Sequence, residues 1–443
     1  MTSTALPAVS VRIDASTVTG AFTALHGVNN GPICFGGLVD LTEWQRRLDL
    51  PAIRLHDSGW PGPVVVDLPM IFPDFHADPE DPANYRFDKT DDYLHSLLPV
   101  TGKIVYRLGT SIEWTRRKYD TDPPVDFDHW ARICIGLIRH MNEGWADGHH
   151  LGIRHFEIWN EPDLGDRMWS GTQQQYLELY TVAARAIKAH DPSLLVGGPV
   201  VAHVDGDLPL AFVKHVTEND VPLDFFDWHH YAVDPEGLAA RARAVRDLLD
   251  AHGLGHVESY LTEWAWGGDW STTSEGAKRI HQRNRSARGA AFVASSLIQL
   301  QDAGLDEAHY FSGDTQWFGL FDEFGIPHKH YYGMLAASQL SRRDHRVAVE
   351  VQQTESTRVT AAAGTGTDGL VAVVSAYEGE DAELRLLITG LPADERSELR
   401  LHVIDEHHDL DVVERIVVSG TEVEIVRGIP RGSVLMVSNA PEA

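Results

Sequence analysis

The chain is poor in sulfur and in positive charge, and it has no long apolar run. Two cysteines, Cys34 and Cys134, stand among 443 residues, with no CxxC or other zinc spacing. Such a chain is not a disulfide scaffold. Basic residues number 37 against 65 acidic, a formal charge of −28. That field opposes nucleic acid and anionic membrane, which bind basic patches, so neither is an expected partner. Nowhere do roughly 18 apolar residues run together, as a spanning helix needs. The opening MTSTALPAVSVRIDAST lacks a basic segment followed by an apolar core, so no signal peptide is expected and a cytoplasmic location is.

What is present is the make-up of a folded globular protein, 43% hydrophobic and 9% aromatic. The length exceeds one ordinary core, which implies a large domain and a smaller one. Strand patterns end near residues 28, 55, 108, 159, 197, 229, 262 and 311, and a helix pattern or a loop leading to one follows each. Phe127 to Glu143 is the clearest helix, with Trp130, Ile133, Cys134, Leu137, Ile138 and Met141 on one stripe. No glycine-rich dinucleotide fingerprint follows the first strand. The alternation therefore argues an α/β protein built as a (β/α)8 barrel over 20–341, and no cofactor is expected.

From Arg342 the texture changes to short alternating segments separated by turns such as Thr365-Gly366-Thr367-Asp368-Gly369. That pattern predicts a β-sandwich over 342–443. A strand pattern at Val9 to Ile13, within 1–19, is positioned to join it.

The chemistry is expected at two strand ends. The stretch Gly152 to Asp163, GIRHFEIWNEPD, is a buried-strand pattern that stops where Pro162 forbids a ladder. It leaves Asn160 and Glu161 at the mouth of the fourth strand. The seventh strand ends in Glu263-Trp264-Ala265-Trp266-Gly267-Gly268. Tips of these strands face one another across a barrel mouth, so Glu161 and Glu263 can converge on a sugar-sized gap. Paired carboxylates in unequal environments serve as acid and attacking anion. Trp264 and Trp266 suit stacking on a sugar ring, and Trp317, Phe318 and Phe321 after the eighth strand can wall it.

Trp159-Asn160-Glu161-Pro162-Asp163, with Leu261-Thr262-Glu263-Trp264, resembles clan A glycoside hydrolases and among them family 39, which includes β-xylosidases and α-L-iduronidases. The resemblance covers roughly 20–340 and extends loosely to the trailing sandwich. It implies a retaining mechanism with Glu161 as general acid/base and Glu263 as nucleophile. Asn160 would bind the sugar's 2-hydroxyl, Tyr231 would touch the nucleophile, and His229 and His56 would line the subsite. Arg54 matches the arginine beneath the nucleophile. Family members commonly have glycine after the second-strand histidine; this chain has Asp57, which puts the sugar in doubt.

The sugar stays open among xyloside, arabinoside, galactoside and uronide, in a small molecule or an oligosaccharide. The long loop Ser58 to Pro82 leans towards exo action. Arg107, Arg154 and Lys329 are the basic residues available to clamp a uronide. A metal-dependent barrel hydrolase is the rival, resting on His149-His150, His229-His230 and the His328-x-His330 spacing. A catalytically dead sugar-binding barrel is a third reading, and homo-oligomerisation is left open.

Overall fold

The computed structural model describes residues 6–113, 115–267, 273–392 and 397–441. Residues 1–5 of the N-terminal reading and Gly268 of the second motif lie outside them. The first strand, β1 (Ala8–Gly20), stands apart from the barrel. Eight parallel strands then close a barrel in chain order. They are β2 (Gly27–Asn29), β3 (Ile53–Leu55), β4 (Ile104–Leu108), β5 (His155–Ile158), β6 (Leu195–Val201), β7 (Phe225–Ala232), β8 (Glu258–Trp266) and β9 (Glu307–Tyr310). β9 pairs back to β2 and seals the ring. Strands β2 to β4 are buried along their whole length, as a parallel sheet with both faces covered requires. The eight anticipated strands are the eight observed.

The outer ring holds α1 (Thr42–Leu48), α2 (Asp88–Leu97), α3 (Phe127–Glu143), α4 (Gln173–His190), α5 (Asp207–Glu218), α6 (Pro235–Ala251), α7 (Ser274–Arg285), α8 (Ala287–Gln299) and α9 (Lys329–Ser341). α3 starts where Asp126 accepts from the His129 amide and stops at Gly144 in the left-handed region. Its buried residues include the six expected from the sequence. Two helices, α7 and α8, precede β9. α7 buries only Gly276, Ile280 and Asn284, so it has no apolar stripe to betray it.

Beyond α9 come β10 (His345–Gln352), β11 (Thr357–Gly366), β12 (Gly369–Gly379), β13 (Ala382–Thr389), β14 (Ser397–Ile404), β15 (Asp409–Val418), β16 (Glu422–Ile429) and β17 (Ser433–Ser438). Their order is β15-β14-β17-β12-β11-β10-β1-β13-β16, mostly antiparallel. Val9, Val11 and Ile13 of β1 share one apolar cluster with Leu384 and Leu386 of β13, Leu399 of β14 and Leu435 of β17. The sheet therefore doubles over its own apolar face, which is the expected sandwich. β1 enters it antiparallel to β10 and parallel to β13. β16 is an edge strand, exposed at alternate positions.

Barrel and sandwich meet along α8. Ser295 Oγ donates to Ser375 Oγ at 3.0 Å, Ser375 Oγ donates to the Ala291 carbonyl at 3.0 Å, and the Tyr377 hydroxyl donates to the Val233 carbonyl at 3.0 Å. Among the described residues no helix is long and apolar enough to cross a membrane.

Candidate active site

The chain leaves β5 through a strained turn. Trp159 and Glu161 take positive φ of 75° and 41°, and so does Val200 at 54° in the neighbouring strand. Such conformations cost of order 1–3 kcal/mol each and persist only where the surroundings impose them. Here the Trp159 amide donates to the Leu108 carbonyl and the Glu161 amide to that of Val200, both at 2.7 Å. Pro162 follows and starts a short 3-10 turn. Glu161 is thus held at the mouth by both flanking strands.

Glu263 is aimed by a bulge. The pairing of β8 with β7 and with β9 shifts register immediately after Leu261, and the Asn29 side chain donates to the Thr262 carbonyl at 2.9 Å. After the bulge Glu263 points into the barrel. Its Oε1 accepts from Arg54 at 2.7 Å and its Oε2 from the Tyr231 hydroxyl at 2.8 Å. Glu161 Oε1 accepts from His229 Nδ1 at 2.8 Å, and that nitrogen lies 3.7 Å from Glu263 Oε2. One oxygen of each glutamate and His229 Nδ1 lie within 4.8 Å of one another.

Arg54 is the hub. Its fork donates to Glu157 and Glu263, each at 2.7 Å, to Asn160 Oδ1 at 2.7 Å and to Asn29 Oδ1 at 3.1 Å. Arg54, Glu157 and Asn160 have no exposed surface. Burial alone would lower the guanidinium's pKa, but Glu157 and Glu263 outweigh it and hold it charged. Because Arg54 occupies Asn160 Oδ1, the Asn160 Nδ2 group is left buried without a hydrogen-bond partner among the described residues. An orphaned buried donor facing a sugar gap is an invitation to a hydroxyl.

The two glutamates differ electrostatically. Burial, and then the charge of Asp163, push the Glu161 carboxyl up to about 7. Glu263 instead sits on a guanidinium and a phenol hydroxyl. Burial takes His229 down to about 4, so its ring is neutral near pH 7 and Nδ1–H donates to Glu161. Tyr231 is pushed well above its ordinary value by burial and by Glu263, which keeps it a donor. Asp57, at φ 52° and with its side chain 23% exposed, is raised to about 7 by burial and then by Glu263.

The structure brings together Arg54, Asn160, Glu161, His229, Tyr231 and Glu263. His56 joins them, with Nε2 3.7 Å from Glu263 Oε1. His229 is fully buried and reaches the glutamates, so it positions Glu161 and does not line an open subsite. Trp317 stands half-exposed in the loop after β9, where neighbouring Gln316 donates to the Asp57 carbonyl at 2.7 Å. Phe318 packs on Tyr231, and Phe321 is buried against Tyr331.

Trp266 is a correction. Sequence adjacency to Glu263 suggested a sugar platform, but side chains alternate along a strand. Glu263 faces in, so Trp264 and Trp266 face out. Trp264 packs on Phe292 and Tyr310, and Trp266 stacks on Phe292 with Arg283 over its ring. Both indoles are buried under α8.

The three basic residues considered for a uronide clamp do not form one. Arg107 is buried and paired with Asp67, Arg154 donates to the Ser193 carbonyl beside the start of β5, and Lys329 pairs with Asp409 of the sandwich. Of the histidine pairs behind the metal-hydrolase reading, only His229 meets the glutamates. There the Arg54 guanidinium and the Tyr231 hydroxyl already occupy Glu263, leaving little of a ligand set.

Sequence reasoning missed Glu157 and Asn29. A glutamate inside the apolar run Phe156-Glu157-Ile158-Trp159 was the available signal, because a buried carboxylate must find a cation.

Fold and site together define a (β/α)8 protein with two glutamates converging from its fourth and seventh strand ends. A family model described as "Glycosyl hydrolases family 39" matches residues 43–246. A β-xylosidase of Caldicellulosiruptor saccharolyticus is 28% identical over 259 residues, 54% of this chain and 51% of the relative. One of Geobacillus stearothermophilus is 27% identical over 292 residues, 59% of this chain and 54% of the relative. The chain thus spans about half the length of the curated relatives it matches. A solved glucosidase from Croceicoccus marinus superposes with a TM-score of 0.84 at 23% identity, covering 98% of this chain and 99% of that one. The GH39 enzyme from Xanthomonas axonopodis pv. citri gives 0.72 at 19% identity, over 98% and 97%. The residues matched by the family model include the first motif, 159–163, and end before the second; the resemblance to family 39 is borne out at that level, and so is the fold.

Proposed function

We propose that the protein is a retaining, exo-acting glycoside hydrolase for a neutral sugar, a β-xyloside or β-glucoside. One observation carries this reading: a carboxyl that burial protonates near neutrality lies within 4.8 Å of a carboxylate clamped by Arg54 and Tyr231. Retaining pairs stand about 5–5.5 Å apart, whereas inverting pairs leave roughly 6.5–9.5 Å for a water. Glu263 attacks the anomeric carbon while Glu161 gives its proton to the leaving oxygen. Glu161 then takes a proton from water, and that water releases the sugar from Glu263. Asn160 Nδ2 meets the 2-hydroxyl, and Trp317 walls the mouth.

The neutral sugar follows from Asp57. Its carboxyl lies near Glu263 and ionises as pH rises through about 7, where it would repel a uronate, and none of the three candidate cations is free to clamp that uronate. Glycine adopts φ 52° without steric cost, so Asp57→Gly tests the point cleanly. Glucuronide turnover relative to xyloside should rise at least roughly tenfold, since like-charge juxtaposition costs over 1 kcal/mol. An unchanged ratio would remove Asp57 from the selection.

A panel of nitrophenyl glycosides followed by proton NMR reads sugar and anomeric outcome together. Release of the inverted anomer would sink the retaining assignment. Because Glu161 must enter protonated, kcat/KM should fall as pH rises through about 7. Asp57 also titrates there, and variants separate the two. Glu161→Gln should erase the alkaline limb and slow poor leaving groups most, while Asp57→Gly should keep the limb. The opposite pattern would hand the titration to Asp57.

A further inference from the structure

We infer that Asp91, His140 and His149 form a binding site for a divalent transition metal ion, zinc by preference, away from the sugar site. Asp91 lies one turn into α2, His140 in the last turn of α3, and His149 in the loop that leads from α3 to β5. Asp91 Oδ1 is 2.9 Å from His140 Nε2 and 3.2 Å from His149 Nε2, and the three ligand atoms all lie within 4.8 Å of one another. Zinc bonds of about 2.0–2.2 Å in a tetrahedron span edges of roughly 3.3–3.5 Å. The three atoms need to move only slightly to share one ion.

The surroundings prepare the donors. His140 Nδ1 lies 3.0 Å from the Trp145 carbonyl, which can only accept, so this nitrogen carries a proton, and Nε2 is the nitrogen turned to Asp91. An Nδ1–H bond to a carbonyl behind an Nε2 ligand is the usual outer support of a metal-bound histidine. The ring is also fixed in place. Phe87 stacks on it at 3.5 Å with planes 5° apart, and the loop closes over the opposite side. A Cβ at Gly148 would stand 2.1 Å from the His140 carbonyl oxygen and 2.7 Å from Nδ1, so only glycine lets the loop wrap this closely. Ala146 and Asp147 hold positive φ of 59° and 55° in the same loop. The His149 amide donates to the His140 carbonyl at 2.6 Å, which delivers the His149 ring to Asp91. His149 Nε2 is buried there without hydrogen-bond alignment to any partner among the described residues.

Two imidazole nitrogens converging on one carboxylate oxygen are held there either by a hydrogen on each nitrogen or by one shared metal. The imidazole and carboxylate donor set suits zinc, with nickel and copper as competitors. The fourth position falls to water or to His95. That exposed side chain is one turn along α2 from Asp91, with its ring 4.6 Å from that of His149. His150 turns away to the Asn142 carbonyl. An ion here would tie α2, α3 and the entry to β5 together at the end of that strand opposite Glu161. Its effect is on stability and not on the chemical step.

The test uses the full chain, stripped with chelator and dialysed, then titrated with zinc chloride by calorimetry and with cobalt chloride by visible spectroscopy. One equivalent of zinc should bind, thermal unfolding should move up, and cobalt should show the strong visible bands of tetrahedral coordination. Asp91→Asn and the partly exposed His149→Gln should each weaken zinc more than roughly tenfold. Glu161→Gln should bind it as the parent does, which separates this site from the Glu161–His229–Glu263 cluster. Equal binding by the Asp91 and His149 variants, no rise in unfolding temperature with zinc, or loss of zinc in Glu161→Gln would each overturn the proposal.

Discussion

Glu263→Ala should lose on the order of 10⁵-fold in kcat, about 7 kcal/mol of transition-state stabilisation. In the proposed mechanism it removes the attacking carboxylate, and among the described residues its nearest histidines cannot replace it: His56 and His229 stand 3.7 Å from its oxygens and are depressed, neutral imidazoles. Truncation leaves a cavity floored by Arg54 and Tyr231, with Glu161 still able to protonate a leaving oxygen. Azide should enter that cavity, restore part of the turnover on activated substrates and yield a glycosyl azide of inverted configuration. Stability should change little by comparison, because Arg54 keeps Glu157 as its partner. Near-parental turnover by the alanine variant, or rescue by azide without a glycosyl azide, would take Glu263 out of the nucleophile's role.

Arg54→Leu should cost the fold at least about 3 kcal/mol, measured by chemical denaturation. Breaking one side of a buried ion pair typically costs about 3–5 kcal/mol, because the remaining charge has no water to turn to. Arg54 has more than one such dependent: Glu157 and Glu263 accept from it directly, and Asn160 Oδ1 loses its donor as well. Without the guanidinium Glu263 and Asn160 also lose the donor that positions them, so kcat falls in the fraction that folds. Arg54→Lys restores charge without the planar fork and can serve one carboxylate at a time. It should recover part of the stability but remain at least roughly 10²-fold slower, the scale seen when one preorganised donor is lost. An Arg54→Leu protein with the parental denaturation midpoint would show that the hub does not hold the site together.

Much of this architecture was legible before folding. The eight strands could be counted because each is a short apolar run closed by a turn, and that pattern survives any tertiary context. Pro162 marked the end of β5, and with it the place of Glu161 at the barrel mouth. Where local pattern carried no signal, reading failed. α7 is polar on nearly every face, so periodicity had nothing to report. Trp266 misled because nearness to Glu263 in sequence was read as a shared face, whereas the pairing runs in step from Glu263 to Trp266 and alternation turns the indole outward.

By itself, the sequence determined the barrel, the sandwich that follows it and the identity of the two glutamates, because these rest on period, turn chemistry and residue type. Only the tertiary structure decided how differently the two glutamates are surrounded. Burial raises Glu161, while Arg54 of β3 reaches across the barrel to donate to Glu263. It also decided that Glu157 and Asn29 support that arginine, and that Asp91, His140 and His149 meet on the outer ring. Ionisation depends on distance and dielectric, and both come into being only when the strands close.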